Sequence, residues 1–402
     1  MSNTQKKNVP ELRFPGFEGE YSLDIFGNLA TNKSDKFNPQ NENASIDIEL
    51  DCIEQNTGRL IKIYNSKEFS SQKNKFNPQN VLYGKLRPYL NKYYFTKKSG
   101  VCSSEIWVLK STKEDKLLNL FLYYFIQTKR YSDVASKSAG SKMPRADWGL
   151  IENIRVYFPE LCEQQKIGEF FSKLDRQIEL EEQKLELLQQ QKKCYMQKIF
   201  SQELRFKDDN GNDYPEWEEK KLGELSQIVR GASPRPIKDP KWFNKESDIG
   251  WLRISDVTDQ NGKIYHLEQK LSIEGQEKTR VLLTTHLLLS IAASIGKPVM
   301  NFVKTGVHDG FLIFLNPKFN IFFMYYWLDY FKEKWSKYGQ PGSQVNLNSE
   351  IVKSQTLNIP SNHEQEKVGL FFSRNEKLIE LQQEKIMYLK RRKQALILKM
   401  FI

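Results

Sequence analysis

The sequence predicts an α+β fold in which two mixed α/β domains, related by a pseudo-twofold repeat, are joined by two long helices. Three observations lead to this prediction. Residues 163–200 and 364–401 both have the composition and apolar spacing of a long helix, and the second stretch repeats the first without a gap. The chain before each stretch has short β-rich runs separated by Gly, Asn and Pro turns. We therefore expect one unit, a domain followed by a helix, to occur twice.

The two helical stretches have the pattern of a coiled coil. They contain no Pro, are rich in Glu, Gln, Lys and Leu, and repeat apolar residues at heptad spacing. Polar residues occupy this apolar row at Glu181 and Lys192, and at the matching Gln382 and Lys393. We predict that the helices pack antiparallel along a seam formed by Phe171, Leu174, Ile178, Leu185, Leu188, Phe372, Ile379, Ile386, Leu389 and Leu396.

Shared landmarks place the boundaries of the repeated units. Glu11-Leu12-Arg13-Phe14 returns as Glu203-Leu204-Arg205-Phe206, and the turn at Gly58-Arg59 resembles the turn at Gly262-Lys263. Pro159 and Pro360 each precede a long helix, and Ser361 with Glu364 predicts a capping box. An aromatic-rich helix is predicted from Leu117 to Lys129. The expected segments are a domain at 1–160, a helix at 161–200, a domain at 201–360 and a helix at 361–402.

Composition limits the class of protein. The 402 residues contain 39% hydrophobic and 28% charged residues, with a net charge of +11. This basic balance suggests a nucleic-acid partner, although an anionic membrane surface or solubility alone would also account for it. There is no apolar run of membrane-spanning length, and the four cysteines have no CxxC pair. We expect a cytoplasmic protein with reduced thiols and no membrane partner.

Motifs for catalysis are weak or missing. Asn38-Pro39 and Asn77-Pro78 lack the second proline and the aromatic residue of an amino-methyltransferase motif. Gly296-Lys297 lacks the remaining residues of a phosphate-binding loop. The four histidines have no metal-ligand spacing. We therefore predict no catalytic residue, no metal and no bound cofactor in this chain.

Binding chemistry is more evident. Arg and Asn side chains can contact base edges in the DNA major groove, while Lys contacts phosphates. Each candidate taken singly is more often a solvated surface charge than a contact, but two basic loop sets on repeated scaffolds favour double-stranded DNA. The candidate DNA-binding residues are Lys85, Arg87, Tyr89, Asn91, Lys92, Lys142 and Arg145 in the first domain, and Arg230, Arg235, Arg253, Lys297, Gln344 and Asn346 in the second.

Nearly the whole chain resembles the specificity subunits of type I restriction–modification systems. The resemblance rests on the helix entries at 159–167 and 360–368, on Gly-Lys-Leu-Arg-Pro-Tyr-Leu at 84–90, and on the twofold layout. It implies a non-catalytic subunit whose two variable domains are target-recognition domains, each reading one half of a split DNA sequence. The paired helices would act as the spacer and dock two modification subunits, which hold S-adenosylmethionine, and restriction subunits would complete the nuclease.

Other classes of protein remain to be distinguished. A stand-alone repressor would share the basic loops and the coiled coil, but would bind DNA tightly by itself. A structural coiled-coil protein would not explain two large, diverged globular domains. A self-sufficient methyltransferase would need the motifs that are missing. Co-purification with a methyltransferase partner would separate these alternatives.

Overall fold

The computed structural model describes residues 8–43, 45–137, 142–291, 295–338 and 347–402. The chain divides into two compact units. The first unit is Met1–Gln183 with Gln383–Ile402, and the second is Lys184–Gln382. The unit boundaries fall inside the two long helices, so each unit contains one globular domain and part of both helices.

The first domain contains two main sheets and a separate strand pair. Strands β2, β10, β7 and β8 form one sheet in that order, β3, β6, β9, β4 and β5 form the other, and β1 pairs with β11. All described pairs are antiparallel except β4 with β9. The strands are β1 Ser22–Ile25, β2 Ala30–Thr31, β3 Lys36–Phe37, β4 Ile46–Ile48, β5 Tyr64–Asn65, β6 Lys73–Phe76, β7 Val81–Gly84, β8 Tyr93–Phe95, β9 Gly100–Cys102, β10 Ile106–Ser111 and β11 Arg155–Phe158. The helices are α1 Phe26–Leu29, α2 Asn119–Phe125, α3 Lys129–Ala135, α4 Trp148–Ile151 and the long α5 Leu161–Phe200.

The second domain repeats this plan with different detail. Its main sheet has the order β13, β20, β17, β18, β15, a smaller sheet has the order β14, β19, β16, and β12 pairs with β21. The strands are β12 Glu218–Lys221, β13 Gln227–Arg230, β14 Gly250–Leu252, β15 Lys263–Ile264, β16 Arg280–Leu282, β17 Leu287–Ser290, β18 Pro298–Asn301, β19 Thr305–Val307, β20 Phe311–Leu315 and β21 Thr356–Ile359. The helices are α6 Leu222–Leu225, α7 Ile254–Asp259, α8 Ile273–Glu277, α9 Ile321–Phe331, α10 Ser349–Ser354 and the long α11 Asn362–Met400.

Within each unit the two long helices run antiparallel. In the first unit, the ring centroids of Phe171 in α5 and Phe401, which follows the last residue of α11, are 6.2 Å apart. Glu182 of α5 forms an ion pair with Lys390 of α11 at 2.6 Å. In the second unit, Lys192 pairs with Glu376 at 3.3 Å and the ring of Phe200 stacks on Phe372. The predicted α+β class is confirmed.

An aromatic helix of each domain packs against this helix pair. In the first unit α2 contributes Phe121 and Tyr124, whose rings lie 4.9 Å from Phe401 and 5.2 Å from Phe171. In the second unit, α9 places Tyr326 5.3 Å from Phe372. The core of each domain therefore continues into the long helices.

Glycine permits the close approach of domain and helix at matching positions. A Cβ atom at Gly168 would lie 2.7 Å from the side chain of Leu120, and one at Gly369 would lie 3.1 Å from Phe322. A Cβ atom at Gly168 would therefore displace the Leu120 side chain, and one at Gly369 would require a small shift of Phe322. The single glycine of each long helix thus marks the contact with its domain.

The element boundaries differ from the predictions in three places. The long helices begin two residues earlier than 163 and 364. The helix predicted for Leu117–Lys129 ends at Phe125, because the Thr128 hydroxyl accepts the N–H of Tyr131 and begins a new helix, α3. The capping box is only half formed. Ser361 Oγ accepts the Glu364 N–H at 3.5 Å, while the Glu364 carboxylate accepts hydrogen bonds from Arg205 and Trp217.

Candidate nucleic-acid interface

A buried ion pair holds the start of each long helix. Arg13 donates two hydrogen bonds to Glu163 through Nε and one more through Nη2, at 2.7 to 3.1 Å. Arg205 makes the matching contacts to Glu364, at 3.0 Å for the shorter bond. Both carboxylates are fully buried. The arginine of each Glu-Leu-Arg-Phe segment therefore binds the glutamate of the helix entry in the same unit. The contact is a two-pronged, charge-assisted hydrogen bond, the Arg–Glu fork.

The glutamine that follows each of these glutamates ties the helix start to the domain. Gln164 Oε1 accepts the N–H of Leu118 at 2.9 Å, and its amide donates to the carbonyl of Pro159. Gln365 makes the same pair of contacts with Asn320 and Pro360. The Gln of each helix entry thus holds the start of its long helix against the domain in the same way in both units.

A second repeated cluster explains the lysines in the coiled-coil seam. In the first unit, Lys393 pairs with Asp175 at 2.6 Å, and Asp175 accepts the hydroxyl of Tyr124 at 3.0 Å. In the second unit, Lys192 pairs with Glu376, which accepts the hydroxyl of Tyr326 at 2.7 Å. Each helix therefore supplies the acid of one cluster and the lysine of the other.

The electrostatics of the second cluster favour its charged state. Burial alone would raise the pKa of Glu376, but the ammonium groups of Lys192 and Lys263 outweigh burial and hold the pKa below its ordinary value. Burial raises the pKa of Tyr326 far above its ordinary value, so its hydroxyl remains a donor to the carboxylate.

The cation of each Gly turn reaches a long helix. Lys263 contacts Glu376 of α11, and Arg59 contacts Glu182 of α5. This repeated turn is visible in the sequence, but no role was predicted for it. Both turns share a Gly-cation-aliphatic pattern in the sequence. That pattern predicts only a turn, because the glutamates that the two cations contact lie more than a hundred residues away in the chain.

The structure brings the two predicted basic segments of the first domain together. Residues 85–92 connect β7 to β8, and Leu86 pairs with Arg145 in an isolated antiparallel bridge. The N–H of Arg87 donates to the carbonyl of Pro144 at 2.8 Å. Arg87 and Lys142 are exposed, and Tyr89 has 53% of its surface exposed, whereas Lys85 and Asn91 are half-buried.

Six of the predicted cations contact partners inside their own domain, and three of these are Lys92, Arg145 and Lys297. Arg145 makes a two-pronged ion pair with Glu105, at 2.9 and 3.1 Å. Lys92 and Lys297 each directly precede a strand. The ammonium of Lys92 donates a hydrogen bond to the carbonyl of Leu50, and that of Lys297 donates to the carbonyl of Val257. Burial lowers the pKa of Lys297, and nearby Lys332 lowers it further. Lys92 and Lys297 thus support the loops that the other candidates occupy.

Candidates in the second domain surround two acidic residues. Arg235 pairs with Asp309 at 2.6 Å, and Arg230 donates to the Asp309 carbonyl. Burial alone would raise the pKa of Asp309, but a hydrogen bond from Ser233 and the nearby His308 and Arg235 hold it below the ordinary value. Arg253 pairs with Asp256 at 2.8 Å. Gln344 and Asn346 lie outside the described residues.

A cleft of about 690 Å³ lies beside Arg253. Aromatic rings of Phe243 and Trp251, the imidazole of His308 and the side chains of Lys238 and Gln269 line it. The aromatic residues, His308 and Gln269 were not among the predicted DNA-binding residues. They come from separate strands and loops, so no local motif in the sequence marks them.

The predicted seam residues lie along the facing sides of the helices. Phe171, Leu174, Ile178, Phe372, Ile379, Ile386 and Leu389 are buried, while Leu185, Leu188 and Leu396 are half-buried. Ile397, which is also buried, was missed because the heptad count chose its neighbour Leu396.

The family model for the type I restriction modification DNA specificity domain matches residues 20–190 and again 214–391. The chain belongs to the family of type I restriction–modification specificity subunits. The two matches correspond to the two copies of the repeated unit. This specificity subunit is therefore a non-catalytic member of a DNA-directed restriction–modification complex, as the sequence predicted.

Individual relatives agree with the family. The type I restriction enzyme MjaVIII specificity subunit of Methanocaldococcus jannaschii is 26% identical over 310 residues, which cover 72% of this chain and 71% of the relative. The EcoDI specificity subunit of Escherichia coli is 25% identical over 169 residues, covering 40% of this chain and 37% of the relative.

Solved structures show the same fold. A chain from a structure that describes complex assembly and conformational transition of a type I restriction–modification system matches with a TM-score of 0.62 and 17% identity, covering 94% of this chain and 96% of that chain. The S subunit from M. genitalium matches with a TM-score of 0.57 and 14% identity, covering 98% and 99%.

The described residues include neither a membrane-spanning helix nor a cluster of metal-ligating side chains. In the part of the chain that the structure describes, no helix combines the length and apolarity needed to cross a bilayer. No group of three or more His, Cys, Asp or Glu side chains is placed to hold a metal ion, again within the described ranges.

Proposed function

We propose that each domain of this specificity subunit is a target-recognition domain that reads one half of a bipartite double-stranded DNA sequence. The supporting observation is the contrast between framework and loops. The Arg–Glu fork, the Glu-Gln helix entry and the Tyr–acid–Lys cluster recur in both units. The loops that carry the basic candidates differ in sequence and in their internal contacts. Equal frameworks with unequal loops suit a non-palindromic target.

The candidate DNA contacts divide into side chains with and without partners in the protein. Lys85, Arg87, Tyr89, Asn91 and Lys142 have no side-chain hydrogen bond or ion pair within the described residues. Arg145, Arg230, Arg235 and Arg253 already contact partners in the protein, so a DNA contact would share or exchange them. Lys92, Lys297, Gln344 and Asn346 complete the proposed set.

Two modification subunits would dock on the long helices. The helices carry exposed apolar side chains at matching positions: 48% of Leu180 and 49% of Leu381 are exposed, as are 60% of Leu187 and 62% of Tyr388. Leu180 and Tyr388 belong to the first unit, and Leu187 and Leu381 to the second. Two equivalent apolar sites fit two copies of one partner. The modification subunits would hold S-adenosylmethionine and the methyl-transfer site, and restriction subunits would join to form the nuclease.

The direct test is co-expression with a cognate modification subunit followed by genome-wide mapping of methylated adenines. We expect one split motif, and no methylation by either protein alone. Replacing residues 21–158 with another reader should change one half of the motif and leave the other half and the spacer unchanged. Methyl transfer by the isolated chain, or a swap that changes both halves, would contradict the proposal.

The docking sites can be tested separately. Leu180→Glu with Tyr388→Glu should remove one modification subunit, because a charge on an apolar contact opposes burial. Leu187→Glu with Leu381→Glu should remove the other. Light scattering of the complex would then give one modification subunit for each specificity subunit. The matched control is Gln177→Glu with Gln183→Glu, at exposed positions of α5, and should leave the stoichiometry unchanged. A full complement of partners in both double variants would contradict these docking sites.

A further inference from the structure

Arg87 has an unusual backbone conformation. Its φ of 52° and ψ of 61° lie in the left-handed region, and the next residue is Pro88. A residue before proline normally adopts an extended backbone conformation. The left-handed conformation is unfavourable for arginine because its Cβ atom comes too close to the following carbonyl oxygen. Such strain persists only where the surrounding structure enforces it, and it occurs most often at functional sites.

Main-chain hydrogen bonds enforce this conformation from both sides. The Arg87 N–H donates to the Pro144 carbonyl at 2.8 Å, and the Arg87 carbonyl accepts the N–H of Leu90 at 2.9 Å. One residue away, Leu86 forms its bridge with Arg145, and the Lys85 carbonyl accepts the N–H of Ala146. The backbone of Arg87 is therefore fixed before any ligand arrives.

The Arg87 side chain, in contrast, is unused by the protein. It is exposed, and its guanidinium makes no hydrogen bond or ion pair with any described residue. Lys85 lies two residues before it. Lys142 lies two residues before Pro144, the residue that accepts the Arg87 N–H. The nearby carboxylate of Glu105 is held by Arg145. We call Lys85, Arg87 and Lys142 the basic corner.

We propose that the basic corner binds phosphodiester groups of the DNA backbone and does not read bases. This inference rests on the proposed function and identifies one contact between the first domain and its DNA. A guanine edge offers two acceptors, which one arginine is enough to fill, so three donor-only side chains at one turn exceed what a single base edge can take. Phosphate oxygens are all acceptors, and all three side chains of the basic corner only donate. The fixed turn would place the first domain on the duplex in one register while other loops select the sequence.

The test uses the full chain in complex with its modification subunit. Binding to target and non-target duplexes is measured by fluorescence anisotropy at several salt concentrations, and methylated motifs are mapped for the same variants. We expect Arg87→Ala to weaken binding to both duplexes by a similar factor, roughly ten-fold. The slope of log K against log salt should fall by roughly 0.9, the value for one lost phosphate contact in B-form DNA. The methylated motif should stay the same.

Two further variants complete the test. Arg87→Lys keeps a charged donor and should retain most of the affinity and the salt slope. Arg155→Ala removes an exposed arginine from β11 of the same unit and should match the wild type. Thermal melting of each variant checks that the fold is intact.

The outcomes are distinct. Arg87→Ala would overturn the proposal if it broadened one position of the first half-site, because Arg87 would then read a base. Unchanged affinity and salt slope would also overturn it. A wild-type complex that methylates no split motif would refute the proposed function instead, and the salt titration would still decide whether Arg87 contacts phosphate.

Discussion

Two lysines that look like surface charges in the sequence form ion pairs in the seam between the long helices. Lys393 has only 5% of its surface exposed, yet it lies in a run of four basic residues, 390–393, that is typical of a solvated helix face. Its ammonium pairs with Asp175 and donates to Gln127. Lys192 occupies the matching position beside Glu376. Because the buried charges are paired, the seam tolerates polar residues at these two positions.

The Glu376 cluster makes a prediction about pH. The pKa of Glu376 is lowered in the folded state, so its contribution to stability is present above the unfolded pKa and is lost as pH falls through the folded pKa. The ordinary value is about 4.5. Glu376→Gln should therefore lower the free energy of unfolding by roughly 2–3 kcal/mol at neutral pH, where two lysines lose their counter-charge.

The measurement is denaturant unfolding of both proteins between pH 7 and pH 3. The difference between wild type and Glu376→Gln should shrink as pH falls below about 4.5, because protonation removes the charge from the wild type as well. Burial raises the pKa of nearby Asp329 and the charge of Glu376 raises it further, so the comparison is repeated in an Asp329→Asn background. A difference that is constant across this range would contradict the charged state assigned to Glu376.

At the scale of the elements, the long helices act through their buried seam. Ile178 of α5 and Ile386 of α11 are each 5% exposed and both belong to the first unit. An aspartate at either position would be an unpaired buried charge. We expect Ile178→Asp with Ile386→Asp to abolish assembly with the modification subunit and to lower the free energy of unfolding by more than about 4 kcal/mol.

Assembly would be measured by size-exclusion chromatography and stability by thermal melting. Gln177→Asp with Gln183→Asp adds the same charge at exposed positions of α5 and should change both measurements little. If the Ile178 and Ile386 double variant assembled and melted like the wild type, the seam drawn here would be wrong.

At the scale of the whole molecule, each compact unit is completed by the helix that follows the other domain. The last residues of α11 belong to the first unit, and the last residues of α5 belong to the second. The acid and the lysine of each helix also have the same order: Asp175 then Lys192 in α5, and Glu376 then Lys393 in α11. One helix therefore carries both halves of the complementary pattern.

This self-complementarity predicts that the fragment 1–206 dimerises. The Asp175 carboxylate of each copy would meet Lys192 of the other, as Glu376 meets Lys192 in the intact chain. With a modification subunit, such a dimer should methylate the first half-site followed by its inverted repeat. The pair of α5 helices in the fragment dimer would differ most from the α5–α11 pair of the intact chain at Leu174, whose counterpart in α11 is Asn375.

Light scattering gives the oligomeric state of the fragment, and motif mapping gives its target. Lys192→Glu in the fragment should prevent dimerisation, because it would face Asp175, and Asp175→Lys in the same chain should restore it. A methylated motif that is asymmetric, or that still contains the second half-site, would rule out the symmetric dimer.

The sequence by itself determined the repeat, the two long helices and the family. Heptad spacing and a gapless copy are local regularities, so they can be read without knowing which residues meet in space. The partners of the repeated motifs were decided only by the tertiary structure. Nothing local to Arg13 shows that it pairs with Glu163, or that Arg59 reaches Glu182.

The same limit applies to the DNA candidates. Composition marked Arg87, Lys92 and Arg145 alike as basic loop residues. Folding then placed a carbonyl beside Lys92 and a carboxylate beside Arg145, and left the Arg87 guanidinium free on a fixed backbone. Charge is a property of the residue and is visible in the sequence. The availability of that charge depends on neighbours brought together by the fold, so only the tertiary structure decides it.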